Sequence, residues 1–155
     1  MFIYYLLIFS KHGHLITSYR SKDVELDNEE ELLSGFFSAI QMGYRYEYNN
    51  PIQSIRTKNC RLYFLNDEIN SIIYLVACNM LTHLDGQNLL KNIRDRIDDR
   101  FHIDGDKPCY FPFEIYSELD EILSKEVQTI ENHVMEKYFS GENQEKKAED
   151  SFVIL

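Results

Sequence analysis

The 155-residue sequence predicts an α+β domain: a five-stranded antiparallel sheet with helices packed on it, in the order β-β-α-β-β-β-α-α. Three observations carry this expectation. The chain opens on an almost wholly apolar run, Met1 to Phe9, closed by a Lys11-His12-Gly13 turn. Three short strand-like segments follow between residues 52 and 79, separated by turn residues. Two stretches of helical periodicity then occupy most of the second half.

The first strand is expected over Met1–Ser10 and the second over His14–Arg20, joined as a hairpin in which Gly13 supplies positive φ. The opening apolar run is too short to span a bilayer, which needs about 20 residues, and lacks a basic leader and a small-residue cleavage site. A strand buried on both faces explains it better. Asp27 has the chemistry of a helix N-cap, with Glu30 three residues on, and Glu29, Glu30 and Glu31 complement the helix dipole. That helix is expected to run to about Tyr46, its apolar face made by Leu33, Phe36, Phe37, Ile40 and Tyr44. Gly35 and Gly43 are expected to permit close packing on the sheet.

Asn49-Asn50-Pro51 breaks the chain. Ile52–Lys58 is polar enough for an edge strand, Cys60–Leu65 is the next, and Ser71–Asn79, the most apolar, has the composition of a central one. A second helix is expected from about Leu84 to His102, with Leu90, Ile93, Ile97 and Phe101 on one side and Lys91, Arg94, Asp95, Asp98 and Asp99 on the other. The third spans Phe113 to Tyr138 and is long enough that its second half is expected to project beyond the domain. Residues 1–139 thus form the domain, and 140–155 a polar tail ending in Phe152-Val153-Ile154-Leu155. No other segment is long and apolar enough for a transmembrane span.

Net charge is -10, from 26 acidic and 16 basic side chains, which counts against nucleic acid and anionic membrane as partners. Cys60, Cys78 and Cys109 are an odd number with no Cys-x-x-Cys pair, as in a reducing cytoplasm. Phosphate-loop, dinucleotide and nucleophile-elbow motifs are missing, so no catalytic or cofactor-binding residue is expected and the chain reads as non-enzymatic. His12 and His14 flank a turn, and His102, Asp104 and Asp106 resemble a fragment of a calcium loop. Both sets lack the remaining ligands, so no metal is expected. The tyrosines Tyr44, Tyr46 and Tyr48 alternate near the end of the first helix, where some must meet solvent. Exposed aromatics suit a contact surface, or they cover the sheet edge or a loop.

The opening Phe2–Phe9 with Lys11-His12-Gly13-His14-Leu15, the Glu30–Ile40 segment, the meander from Ile52 to Cys78 and the Phe113–Leu123 helix start resemble, in that order, the longin domain of the longin, roadblock and SNARE-like group. The last helix is similar to that of the small chains of vesicle-coat adaptors. The resemblance implies helices on one side of the sheet, a role as an adaptor or scaffold for a small Ras-like GTPase or a trafficking-type complex, and pairing as a homodimer or with a related domain. It implies a cytoplasmic protein, peripheral to membranes through a partner. Phe36, Phe37, Ile40, Tyr44, Tyr46 and Tyr48 are the interface candidates on the first helix, with core the alternative for the first four; Phe152, Val153, Ile154 and Leu155 are the second candidate surface. The competing reading is a ligand-sensing domain of the profilin or PAS kind, which requires an enclosed pocket between sheet and helices.

Overall fold

A computed structural model describes residues 2–24, 29–107 and 110–139. The strands are β1 (Ile3–Ser10), β2 (Leu15–Arg20), β3 (Ser54–Arg56), β4 (Arg61–Asp67) and β5 (Ile72–Cys78); the helices are α1 (Glu30–Tyr48), α2 (His83–Arg100) and α3 (Phe113–Phe139). The sheet is antiparallel throughout, in the order β2-β1-β5-β4-β3. The most apolar segment is its central strand, and the polar three-residue β3 is an edge.

All seven residues of β5 are buried. Their side chains alternate between two apolar clusters. Ile72, Tyr74, Val76 and Cys78 join the cluster that contains Leu90, Ile93 and Ile97 of α2 and Leu119, Leu123 and Val127 of α3. Ile73, Leu75 and Ala77 join the cluster that contains Phe37 of α1. Helices therefore cover both faces of the sheet, and the expected one-sided arrangement is corrected. The reason lies in the strands: an alternating chain apolar at every position must bury both faces. A register shift against β5 between Ile3 and Tyr5 places both Tyr4 and Tyr5 on the α1 side, while Ile3 and Leu6 face α2 and α3.

The second half of α3 does not project. Val127 and Val134 are buried, Glu131 accepts the backbone N–H groups of Phe2 and Ile3 (3.3 Å each), and Lys137 pairs with Asp85 at 3.4 Å. Tyr138 stacks on Phe2. The start of β1 and the start of α2 are thus both tied down by a segment whose spacing alone did not reveal those anchors. Thr82 caps α2, its hydroxyl accepting the Asp85 N–H at 3.0 Å. Asn49 ends α1 in the left-handed region, φ 57°. The proposed Asp27 cap lies outside the described residues; Glu29, at the N-terminal boundary of α1, makes no side-chain cap bond.

Gly13 has φ 91°, and a side chain there would press on the α1 backbone at Gly35, 3.0 Å away. The β1–β2 turn therefore rests directly on α1. Gly35 and Gly43 themselves do not pack on the sheet: a Cβ added to either meets nothing within 4 Å.

A candidate protein-interaction face on α1

The side of α1 turned to the sheet buries Ser34, Phe37, Ser38 and Gln41. Only one of those four is a large apolar residue. The other three are held through hydrogen bonds to backbone. Ser34 Oγ donates to Glu30 O at 2.7 Å, as an intrahelical back-bond. Ser38 Oγ donates to Lys11 O in the β1–β2 turn at 2.5 Å. Gln41 makes a two-way clasp with Ile52: its Nε2 donates to Ile52 O and its Oε1 accepts Ile52 N–H, both at 2.8 Å. Gln41 and Ile52 are each 4% exposed, so the clasp satisfies two backbone groups that water does not reach. Phe37 provides the apolar anchor, edge-on to Phe64 with ring centroids 5.8 Å apart.

The price of this orientation is an apolar outer face. Leu32 is 74% exposed, Phe36 57%, Met42 62% and Tyr46 89%. At about 100° per residue these side chains, with Gly35, Ala39 and Gly43, occupy one arc of about 120° that carries no charge. A surface helix normally presents the opposite pattern. The six candidates from α1 therefore separate. Phe37 is core. Ile40 and Tyr44 are half-buried against the α1-side cluster. Phe36, Tyr46 and Tyr48 are exposed, Phe36 resting edge-on against Phe37 and Tyr48 against Tyr44. The expected apolar stripe is corrected at Phe36, which turns outward because Ser38 and Gln41 fix the helix by polar contacts. Leu32 and Met42 belong to the outer face and were missed; the signal was available in their spacing from Phe36 and Tyr46. Phe152, Val153, Ile154 and Leu155 lie outside the described residues.

The other polar candidates have local work. His12 Nε2 lies 3.0 Å from Asp106 Oδ1, and Asp106 also accepts the Ser71 hydroxyl at 2.9 Å and sits 3.6 Å from Lys11 Nζ. The bonds from His12 and then Ser71 hold the Asp106 carboxyl below the usual range. Asp104 Oδ1 accepts the Asp106 N–H, and Gly105 N–H donates to Asn70 O at 2.7 Å. These contacts pin the α2–α3 loop onto the two adjacent hairpins. No group of three or more potential ligand side chains gathers for a metal ion among the described residues. An open groove of about 520 Å³ borders the His12–His14 turn, and another of about 650 Å³ lies beside the start of α2. Both are surface features, whereas the ligand-sensing reading needs space between sheet and helices. No helix among the described residues is long and apolar enough to cross a membrane.

No family model and no curated protein matches the sequence. Solved structures do. A chain of the full-length AP-3 complex, itself a homology model in a stretched open conformation, aligns with a TM-score of 0.58 at 14% identity, over 94% of this chain and 98% of that one. The fold is longin-like. A Roadblock/LC7 domain from Streptomyces avermitilis is also similar, with a TM-score of 0.46 at 8% identity, over 63% of this chain and 88% of that one. In this longin-like chain the described strands, turns and helices account for the element order from β1 to α3, and the α1 outer face stands apart from what the fold itself needs.

Proposed function

We propose that this longin-like chain is a non-enzymatic protein-interaction module, an adaptor or scaffold of a trafficking-type assembly, that docks through the outer face of α1. The carrying observation is the inverted helix: three small or polar residues are buried and tied to backbone, while Leu32, Phe36, Met42 and Tyr46 meet water. Contiguous exposed apolar surface of this kind marks an interaction site, and Tyr, Phe and Met are the residue types enriched in interfaces. Likeness of fold to a chain of the AP-3 complex supports a place in a multi-chain assembly. A small Ras-like GTPase is the partner class named by the sequence resemblance, and pairing with a related domain belongs to the same reading, as does a cytoplasmic location peripheral to membranes.

The test compares the native chain with a Leu32→Asp/Phe36→Asp double variant as baits in extract from the native host, with the circular dichroism of both recorded. Partners retained by the native chain and lost by an equally folded variant are expected. An identical partner set for both baits refutes docking through α1.

A further inference from the structure

We infer that the acidic edge between α2 and the β4–β5 hairpin receives a lysine side chain of a partner protein, its ammonium held between Asp67 and Asp98 at the hydroxyl of Tyr74. This edge lies on the opposite side of the sheet from α1 and goes beyond the docking role proposed above. The first support is a buried polar atom. Tyr74, in the central strand, is 0% exposed, and its hydroxyl has no hydrogen-bond partner among the described residues. Buried hydroxyls are nearly always partnered, so this one calls for a group from outside them. Phenylalanine would fill the same space without leaving a polar atom unsatisfied.

The charges around that hydroxyl give a second, independent support. Leu65 pairs with Tyr74 and Asp67 with Ile72, and the Leu65, Ile72 and Tyr74 side chains face α2 and α3. Alternation along β4 puts the Asp67 side chain on that side as well. Asp67 is 8% exposed, and its two oxygens accept the Asn70 backbone N–H at 3.1 Å and Asn70 Nδ2 at 2.9 Å. Asp98 is presented by α2. Burial raises the Tyr74 phenol, and Asp98 and then Asp67 raise it further, so its oxygen lies in the field of both carboxylates. After burial, Asp67 is also the largest influence raising the Asp98 carboxyl. Arg94, one turn before Asp98, is turned to Asp95, with Nε and Nη2 3.2 and 3.1 Å from Oδ1. Neither Asp67 nor Asp98 makes an ion pair with a described residue. A carboxylate this far from water without a counter-charge is unfavourable, and an incoming cation relieves it.

The kind of cation follows from the acceptors. They are three groups on three elements: Asp67 on β4, Tyr74 on β5 and Asp98 on α2. A lysine ammonium is a compact charge with three donors, and its flexible stem carries that charge inward while the partner's backbone stays outside. A guanidinium instead favours both oxygens of one carboxylate in a planar fork. A calcium ion takes six to eight oxygens, and no group of three or more potential ligand side chains gathers among the described residues.

The probe is N-acetyl-lysine amide, titrated into the full isotope-labelled chain and followed by backbone amide shifts in NMR spectra. Saturable shifts confined to residues 66–74 and 94–99 are expected, with a dissociation constant on the order of 1 mM, as fits a few charge-assisted bonds to one small group. N-acetyl-norleucine amide, which has the stem without the charge, should shift nothing there. Asp98→Asn, at an exposed site, should keep the fold and weaken binding about tenfold. Tyr74→Phe should be at least as stable as the native chain in urea and weaken binding about threefold or more. The Leu32→Asp/Phe36→Asp variant should bind the probe as the native chain does, which keeps this outcome separate from the α1 test. Shifts that norleucine reproduces, or that survive Asp98→Asn, overturn the inference. Tighter binding of N-acetyl-arginine amide, or saturation of the same residues by micromolar magnesium or calcium, assigns the edge to a different cation and overturns it too. A Tyr74→Phe chain less stable than the native one shows that the hydroxyl is already satisfied within the fold, and removes the first support.

Discussion

Replacing Gln41 by leucine sets two ways of reading α1 against each other. A rule that apolar residues belong on the buried side of a helix predicts a gain, since Gln41 is 4% exposed and leucine is of similar size. The structure predicts a loss. Gln41 supplies both bonds to Ile52, at 2.8 Å each, and Ile52 is itself buried. Leucine leaves one backbone N–H and one C=O without a partner, at about 1–3 kcal/mol each. Burial of the new apolar side chain returns about 1–2 kcal/mol, the upper part of what a leucine gains from full burial being unattainable in a polar niche. The net expectation is a loss of about 2 kcal/mol, or a melting temperature lower by about 4–8 °C for a chain of this size. Urea unfolding followed by circular dichroism gives the free energy, and an unchanged m-value shows that the unfolded reference has not shifted. Phe36→Ser is the control: at low concentration, where association does not contribute, it should cost about 1 kcal/mol, chiefly its edge-on contact with Phe37, and so less than Gln41→Leu although it removes a phenyl ring. A Gln41→Leu protein as stable as the native chain, or a Phe36→Ser protein that loses more than it does, would show that α1 sits with its other side to the sheet.

Two further outcomes follow from the packing and the ionisation. Gly86→Ala should destabilise by about 1–3 kcal/mol in the same unfolding assay, because a Cβ there overlaps the Tyr63 ring, whose hydroxyl is held by a 2.9 Å bond to Leu81 O and cannot simply slide away; native-like stability would mean the ring moves freely. Burial, and then Cys60, push the Tyr5 phenol from 10.0 to about 12. Its contribution is therefore complete below the unfolded value and disappears as pH rises through the folded one, a decline of up to about 2 kcal/mol after discounting for the exposed part of the ring. Tyr5→Phe should flatten that part of the alkaline stability curve and leave neutral stability nearly unchanged, with a remaining decline from Tyr74, which burial raises further.

Much of the fold was legible because it depends on patterns that stay within one element. The unbroken apolar run from Ile72 to Cys78 marked the central strand, and the Leu90, Ile93, Ile97 spacing marked the buried side of α2. Ends were less exact: α1 extends to Tyr48 and is stopped by Asn49, two residues past the expected end. What the pattern did not disclose is which way α1 faces. Periodicity shows that a helix has an apolar side; it does not show that this side meets the sheet. The choice is made by contacts between segments far apart in sequence, Ser38 with Lys11 and Gln41 with Ile52. The same limit hid the anchoring of α3, where Glu131 and Lys137 read as ordinary surface charge until β1 and Asp85 are placed beside them.

The polar tether and the outward apolar face are two consequences of one arrangement. If hydrophobic burial alone positioned α1, the helix would rotate until Phe36, Met42 and Leu32 covered the sheet, and nothing adhesive would be left outside. Such a rotation is resisted at two separate points. One is the turn at Gly13, which fits against α1 because Gly13 carries no side chain; the other is the Ile52 clasp, which holds two backbone groups that water does not reach. The second apolar cluster therefore receives only Phe37 in full from α1, with Leu33, Ile40 and Tyr44 at its margin. A domain that spends its directional bonds on the inner face of a helix keeps the non-directional, area-proportional attraction for the outer one. Under the proposed docking role, changing Leu32 or Phe36 alters what α1 presents to a partner and leaves the Ser38–Lys11 and Gln41–Ile52 bonds in place.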